Sequence, residues 1–565
     1  MARPAASPPS SGGRLTPAPA RGWLRAPRRS GLWSLGLYGA LALLMFGVPV
    51  LDDPRHEIIA ADEVDSSVFM WFYGWWPHAL LNGLNPFVTD YQFAPEGFNL
   101  QWATSVPLPS ILLAPVTLAL GPVVTWNIVQ LAAPALNAWT AFLLCRRVSG
   151  RVAPSLVGGY IFGFSPYVLL HLTGGPNAAL VALVPVLVLL VLLRLEGSVS
   201  ERRFVVAFTA TVVAQYLISN ELLATSTLFG GVALVAAYAI FAERRRELRR
   251  VALLLVGCFV AAGVVLAPFL GYFVFGDHYP PGATQFAAAL VNVALPPDLT
   301  GLTHVLGLSY PRSSAQTYVG LPLIVLVAAF AWQRRNSRVA WLLLACLAAA
   351  LIASLGDELA LRGRGLADPF EGTGIPLPWA LFSGLPVLSH ATPGRFAMFV
   401  TLAAALIASL WLTRGGWLRW ALAALVIVAI LPDFNNKAWN TPISDPQFIA
   451  SGSYRDQLDR QDRVLTIPAW GPNERWQANA DFDFRLAGGY LGNPFPPSYT
   501  RFSIWSTLVS GRLQPGYARE LRRFVDAKGV TAIVVDKRYP GPWRRLFDTL
   551  GVEPVDTGGV LLYRL

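Results

Sequence analysis

ERRRELRRVALLLVGCFVAAGVVLAPFLGYFVF, residues 243–275, decides the architecture. Arg244, Arg245, Arg246, Arg249 and Arg250 stand directly before 25 residues, 251–275, that carry no charged side chain. A helix of roughly 20 apolar residues spans the hydrocarbon core of a bilayer, and arginine accumulates at its cytoplasmic end. The stretch therefore reads as a span that leaves the cytoplasm at Arg250.

The same pattern recurs along the chain. Apolar runs at 31–51, 123–145, 153–171, 178–193, 204–219, 222–241, 251–275, 318–333, 339–356, 396–413 and 417–432 predict eleven spans in an α-helical polytopic membrane bundle. With 54% hydrophobic and 14% charged residues, the composition demands a bilayer as solvent. Net charge +11 could point to nucleic acid, but its distribution excludes that partner. Segments 1–30, 146–152, 194–203, 242–250, 334–338 and 414–419 hold 22 arginines against Glu196, Glu201, Glu243 and Glu247. The loops on the other side before residue 433 hold only Arg55, Arg312, Arg362, Arg364 and Arg395. This bias puts the N-terminus in the cytoplasm of a multi-pass plasma-membrane protein and everything after residue 432 outside.

Residues 107–121 (PLPSILLAPVTLALG) test the count, because reading them as a span would invert every later loop. Pro107, Pro109 and Pro115 within some fifteen residues argue for an interfacial or re-entrant piece instead. Cys145, Cys258 and Cys346 all fall in or at the ends of spans, so no disulfide framework is expected. Residues 1–30, rich in Pro, Ser, Ala and Arg, read as a disordered cytoplasmic terminus, and the run after them as an uncleaved signal anchor.

Outside lie loops 52–122, 276–317 and 357–395, and the tail from 433. In the tail, RVLTIPAW (463–470), GVTAIVVD (529–536) and GVLLYRL (559–565) read as strands and 514–529 as a helix, a small extracytoplasmic α/β domain over 433–565. No phosphate-binding glycine loop, nucleophile elbow or zinc-type Cys/His spacing is present.

Chemistry is expected at the outer ends of the spans. The first outside loop holds eight acids, Asp52, Asp53, Glu57, Asp62, Glu63, Asp65, Asp90 and Glu96, against Arg55 alone. Asp62, Glu63 and Asp65 precede an aromatic segment whose Trp71, Trp75 and Trp76 are expected at headgroup level on an amphipathic helix. A carboxylate there suits general-base work, since partial desolvation raises its pKa; the plainer reading is a charged loop kept in water. Glu221, at an almost loopless outer turn, and His171, ending a span outside, are further candidates, each with a structural alternative. His390 and Arg395 directly before a span could meet a lipid phosphate, or Arg395 could be an anchor. Asp277, His278 and His304 are candidate metal or acceptor contacts without ligand spacing.

Three stretches, DSSVFMWFYGWWPHALLNGLNPFVTDYQFAPEGFNL (65–100), GGYIFGFSPYVLLHLTGG (158–175) and HATPGRF (390–396), resemble the C-type (GT-C) superfamily of integral membrane glycosyltransferases, in an uncharacterised bacterial branch. The resemblance implies a polyprenyl-phosphate sugar as donor, a glycan, lipid or protein acceptor outside, and a first-loop carboxylate acting on the acceptor hydroxyl. Asp65 matches that acid best, with Asp62 and Glu63 beside it. Arg395, with His390, would stabilise the departing phosphate. No cofactor is certain, and a divalent cation on the acids is an open alternative. A lipid or polysaccharide transporter or a non-catalytic envelope-assembly protein are the competing classes; paired broken helices or inverted repeats, usual in transporters, are not found.

Overall fold

A computed structural model describes residues 28–279, 287–307, 316–361, 372–385, 388–492 and 495–565. Residues 1–27, most of the segment expected to be disordered, and Arg312, Arg362 and Arg364 lie outside the described residues.

Among the described residues six helices are long and apolar enough to cross a membrane: Ser30–Leu51, Pro122–Ser149, Pro176–Leu195, Asn220–Ile240, Ala242–Val265 and Pro393–Leu412. A seventh candidate is a pair, Val152–Gly163 and Pro166–Leu172, bent by 44°. Pro166 opens its second half and the Ser165 hydroxyl accepts from Val168 N, a local cap that restarts the helix after the break. Leu321–Gln333, Arg338–Ser354 and Trp417–Ala429 are apolar but shorter, and Glu201–Ile218 opens on Glu201, Arg202 and Arg203. These elements coincide with the eleven apolar runs, but six or seven meet the length and composition of a crossing.

Two expectations need correction. Residues 251–275 are not one helix: Ala242–Val265 ends at Leu266 and Ala267–Phe275 starts anew, because Pro268 has no N–H to continue the ladder. The aromatic helix Val64–Leu81 does not lie amphipathically at a headgroup layer either. Trp71, Trp75 and Trp76 are 0%, 1% and 2% exposed, with protein on every side. Residues 107–121 form two short helices, Pro107–Leu112 and Ala114–Leu120, broken at Leu113.

The bundle closes around Ala397–Leu412, whose residues are nearly all buried. Close approach depends on small residues. A Cβ on Gly163 would lie 2.4 Å from the Ala138 backbone N, and one on Gly158 2.9 Å from the Ala405 carbonyl. At one end of the bundle the arginine-rich turns meet one another: Arg147 with Glu196, Arg194 and Arg250 with Glu201, Arg338 with Glu243 and Arg419 with Gln333. The acidic loop, residues 388–395 and the tail gather at the opposite end.

The tail is built on a five-stranded mixed sheet of β1 (Arg463–Ile467), β2 (Arg485–Leu486), β3 (Ala532–Asp536), β4 (Val555–Thr557) and β5 (Val560–Arg564), in the order β4-β5-β3-β1-β2. β1 pairs parallel with β2 and β3, and β5 pairs antiparallel with β3 and β4. The helix Tyr517–Lys528 leads into β3 and stops at Gly529, whose φ of +57° suits a residue without Cβ. It buries Leu521, Phe524, Val525 and Lys528, one helical stripe.

Candidate active site

The acidic loop is bound to the tail. Three of its eight acids meet tail cations: Glu63 lies 2.8 Å from Arg475, Asp90 3.2 Å from Arg485 and Glu96 2.6 Å from Lys528. Arg475, 1% exposed, also faces Asp445 at 2.9 Å and donates to the Ser444 carbonyl at 3.2 Å. A buried guanidinium needs this full set of acceptors. Lys528 sits 3.8 Å from the centre of the Tyr499 ring. Residues Glu57–Ile58 pair antiparallel with Thr441–Pro442, and Trp71 Nε1 donates to Gln477 Oε1 at 2.6 Å. The loop's acid excess is therefore partly structural, and Glu63 is a counter-ion.

Asp62 and Asp65 are placed differently. Asp62 Oδ1 accepts from Val64 N at 2.9 Å, a local turn bond directly before the aromatic helix. Asp65 stands in the first turn of that helix, where no cation among the described residues pairs with it. Its side chain keeps an open outer surface, yet crowding protein around the carboxyl, and then the charge of Asp62, push its pKa up to about 6. Opposite lies Gly174, where an added Cβ would sit 3.7 Å from Asp65 Oδ2.

Glu221, His390 and Arg395 converge at a cavity of about 730 Å³ between the outer ends of Glu201–Ile218, Asn220–Ile240 and Ala242–Val265 and residues 388–395. Glu221, His390, Thr392 and Arg395 line it among apolar side chains, a size and make-up suited to a ligand. Glu221 ion-pairs with Arg395 and accepts from Thr392 N at 2.7 Å. Arg395 Nε has no hydrogen-bond partner among the described residues. His390 packs against Trp102, ring centres 5.1 Å apart, and burial lowers its pKa. His171 bonds the Tyr167 carbonyl through Nδ1 at 2.8 Å and packs on the Tyr167 ring, ring centres 4.3 Å apart. The turn that follows His171 reaches Asp65: Ala61 N donates to the Thr173 carbonyl at 2.8 Å, and Gly174 faces the carboxyl. The turn 173–174 thus borders Asp65, and Arg395 lines the cavity.

Sequence reasoning missed Trp102, Tyr490 and Glu474. Glu474 is fully buried, its Oε1 accepts from Tyr490 N at 2.7 Å, and burial pushes its pKa up to about 8. In sequence, NERW (473–476) is an ordinary solvated helix start, so nothing local marks it.

Among the described residues no three His, Cys, Asp or Glu side chains converge as ligands, and Glu63 is engaged by Arg475. His304 pairs instead with Asp433 at 2.8 Å, His278 packs on Trp102, and the Asp277 carbonyl accepts from Asn99. Asp277, His278 and His304 so engaged do not fit a resident cation.

The fold is GT-C-like. Residues 35–432 match the model of a family described as a domain of unknown function, DUF6311, and the chain belongs to that family. No curated protein matches the sequence. Among solved structures, the arabinofuranosyltransferase AftD from mycobacteria is similar with a TM-score of 0.58 at 14% identity, over 95% of this chain and 40% of that one. The Archaeoglobus fulgidus oligosaccharyltransferase in its apo form is similar with a TM-score of 0.54 at 12% identity, over 94% of this chain and 72% of that one. A complex of the same enzyme with zinc and sulfate gives a TM-score of 0.54 at 11% identity, over 91% of this chain and 69% of that one. This chain spans 40% of the length of the arabinofuranosyltransferase.

Proposed function

We propose that this protein is a glycosyltransferase of the plasma membrane that moves a sugar from a polyprenyl-phosphate donor to an extracytoplasmic envelope glycan, lipid or protein. In this reading the chain crosses the bilayer eleven times, its N-terminus is cytoplasmic, and residues 433–565 form an extracytoplasmic α/β domain. The observation that carries the reading is the cavity-lining Arg395, held by Glu221 among apolar side chains. It offers a cation beside an apolar groove, and Asp65, in the first turn of the aromatic helix, offers a base.

The chemistry follows from that arrangement. The donor's polyprenyl chain lies along the apolar wall of the cavity, and its phosphate meets Arg395 at the guanidinium edge that Glu221 leaves open. The Thr392 N–H holds Glu221, and Glu221 holds the guanidinium, so little reorganisation accompanies the reaction. Asp65 takes the proton of an acceptor hydroxyl as that oxygen attacks the anomeric carbon. The bond from that carbon to the phosphate oxygen breaks, the electron pair leaves on the phosphate, and configuration inverts. With a pKa near 6, Asp65 is ionised at neutral pH and more basic than an ordinary carboxylate.

The test is turnover by the purified protein with a panel of radiolabelled polyprenyl-phosphate sugars. Release of polyprenyl phosphate by wild type but not by Asp65→Asn supports the reading; no turnover with any donor, or equal turnover in both, refutes it.

A further inference from the structure

We propose that the tail supplies the acceptor subsite and that the subsite takes a sugar ring, on a platform formed by Trp470, Tyr490 and Phe495 beside Asp65. The inference rests on the transferase reading and narrows its acceptor to a glycan.

The three rings form a continuous bent surface. Trp470 and Tyr490 have ring centres 5.9 Å apart at 73°, and Tyr490 and Phe495 6.1 Å apart at 57°. All three are only half-buried, whereas Trp505, Tyr499 and Phe524 behind them are buried at 3%, 0% and 0%. Large rings left partly open over a closed aromatic core are ready to bury more surface on a ligand.

Their location ties them to the reaction centre. A Cβ on Gly471, the residue after Trp470, would touch Val64 Cγ2 at 3.6 Å, and Val64 adjoins Asp65. Burial, and after it the neighbouring carboxyl groups, Asp65 first among them, push the Tyr490 phenol up. Gly492, two residues beyond Tyr490, lines the donor cavity. The platform therefore borders both the base and the donor.

It is also held rigidly. Glu474, buried, takes the Tyr490 backbone N–H, and Gly489 has a φ of +132°, a conformation that L side chains rarely adopt. The two together fix the backbone on which Tyr490 stands.

The chemistry selects a sugar. An aromatic face carries negative quadrupole density and attracts the weakly positive C–H face of a pyranose or furanose, while the ring's hydroxyls remain at the edge. Here that edge meets the carboxylates of Asp62 and Asp65, which accept hydroxyl protons. An acyl chain gains nothing from adjacent carboxylates, and the crossed rings leave no row of strand partners for an extended peptide.

The full-length protein in nanodiscs would be titrated, without donor, with soluble glucan, mannan, galactan and arabinan hexasaccharides and with a hexapeptide control, read by saturation-transfer NMR and calorimetry. We expect at least one saccharide to bind, Trp470→Leu and Tyr490→Ala to weaken it about tenfold, and Tyr490→Phe to stay within about twofold, since the ring face is retained. Absence of binding by every saccharide, tighter binding of the peptide, or unchanged saccharide affinity in both Trp470→Leu and Tyr490→Ala overturns the inference. Because no donor is present, these outcomes are separate from failure of donor turnover, which would count against the transferase reading itself.

Discussion

Arg475 and Glu63 lie 412 positions apart in the chain and 2.8 Å apart in the fold. Through this pair the tail grips the residue two positions before Asp65 and thereby fixes the start of the aromatic helix. Asp445 and Ser444 complete the guanidinium's partners, so the pair is the centre of a buried network rather than a surface contact.

The first prediction concerns that network. Arg475→Ala strands Glu63 and Asp445 and should destabilise the protein by about 3–5 kcal/mol. Glu63→Gln leaves Asp445 in place and should cost less while retaining most turnover. Thermal unfolding in detergent, with donor turnover measured on the same samples, separates the two; equal loss of activity at full stability in Glu63→Gln would make Glu63 a reacting group.

The second concerns the base. Asp65→Asn should lower turnover roughly 100- to 10,000-fold with little change in melting temperature. The wild-type rate should rise with pH through about 6, because only the ionised carboxylate accepts a proton. Asp62 is a like charge that raises this pKa, so Asp62→Asn should move the rise to lower pH. A pH–rate profile unchanged in Asp62→Asn contradicts the assignment.

The third tests the phosphate contact. Arg395→Ala should cost about 100-fold in donor turnover, and Arg395→Lys should recover only part because the planar fork is lost. Arg395→Ala also leaves Glu221 without its cation, so its stability should fall. Arg395→Ala combined with Glu221→Gln should regain stability but not turnover, a separation that melting curves and donor kinetics reveal together.

The fourth follows from Glu474. Its carboxyl titrates near 8 when folded, above the ordinary value, so the folded state holds a proton that the unfolded state has released between those two pH values. Stability must therefore fall as pH rises across that window, with the full loss above 8. Glu474→Gln, which keeps the acceptor for Tyr490 N, should melt higher than wild type at pH 9 and no higher near pH 4. Parallel melting curves across this range would show that Glu474 is ionised in the fold.

Much of the membrane part is legible in sequence because hydropathy is local. The arginine clusters at 146–151, 194–203, 242–250 and 334–338 carry the side-to-side asymmetry, and the structure brings the arginine-rich turns to one end. The strand-like runs 463–470, 529–536 and 559–565 correspond to β1, β3 and β5 for the same reason. What escapes is pairing across distance. Trp71, Trp75 and Trp76 look interfacial because nothing nearby announces Gln477 and Phe482, which bury Trp71 and Trp75. Glu63 looks like a free acid because Arg475 belongs to an unremarkable tail helix, and Tyr490 and Trp470 acquire meaning only once that tail is folded over Asp65. Pro268 alone was a local signal, and it ends the helix where proline chemistry requires.

The most direct measurement is a cryo-electron microscopy structure of the protein in nanodiscs with a non-hydrolysable polyprenyl C-phosphonate sugar. The account predicts the phosphonate within hydrogen-bond distance of Arg395, the lipid along the cavity lined by Tyr216, Leu266 and Phe273, and the anomeric carbon facing Asp65. A lipid bound elsewhere, or a phosphonate in this cavity with its sugar turned away from Asp65, contradicts it.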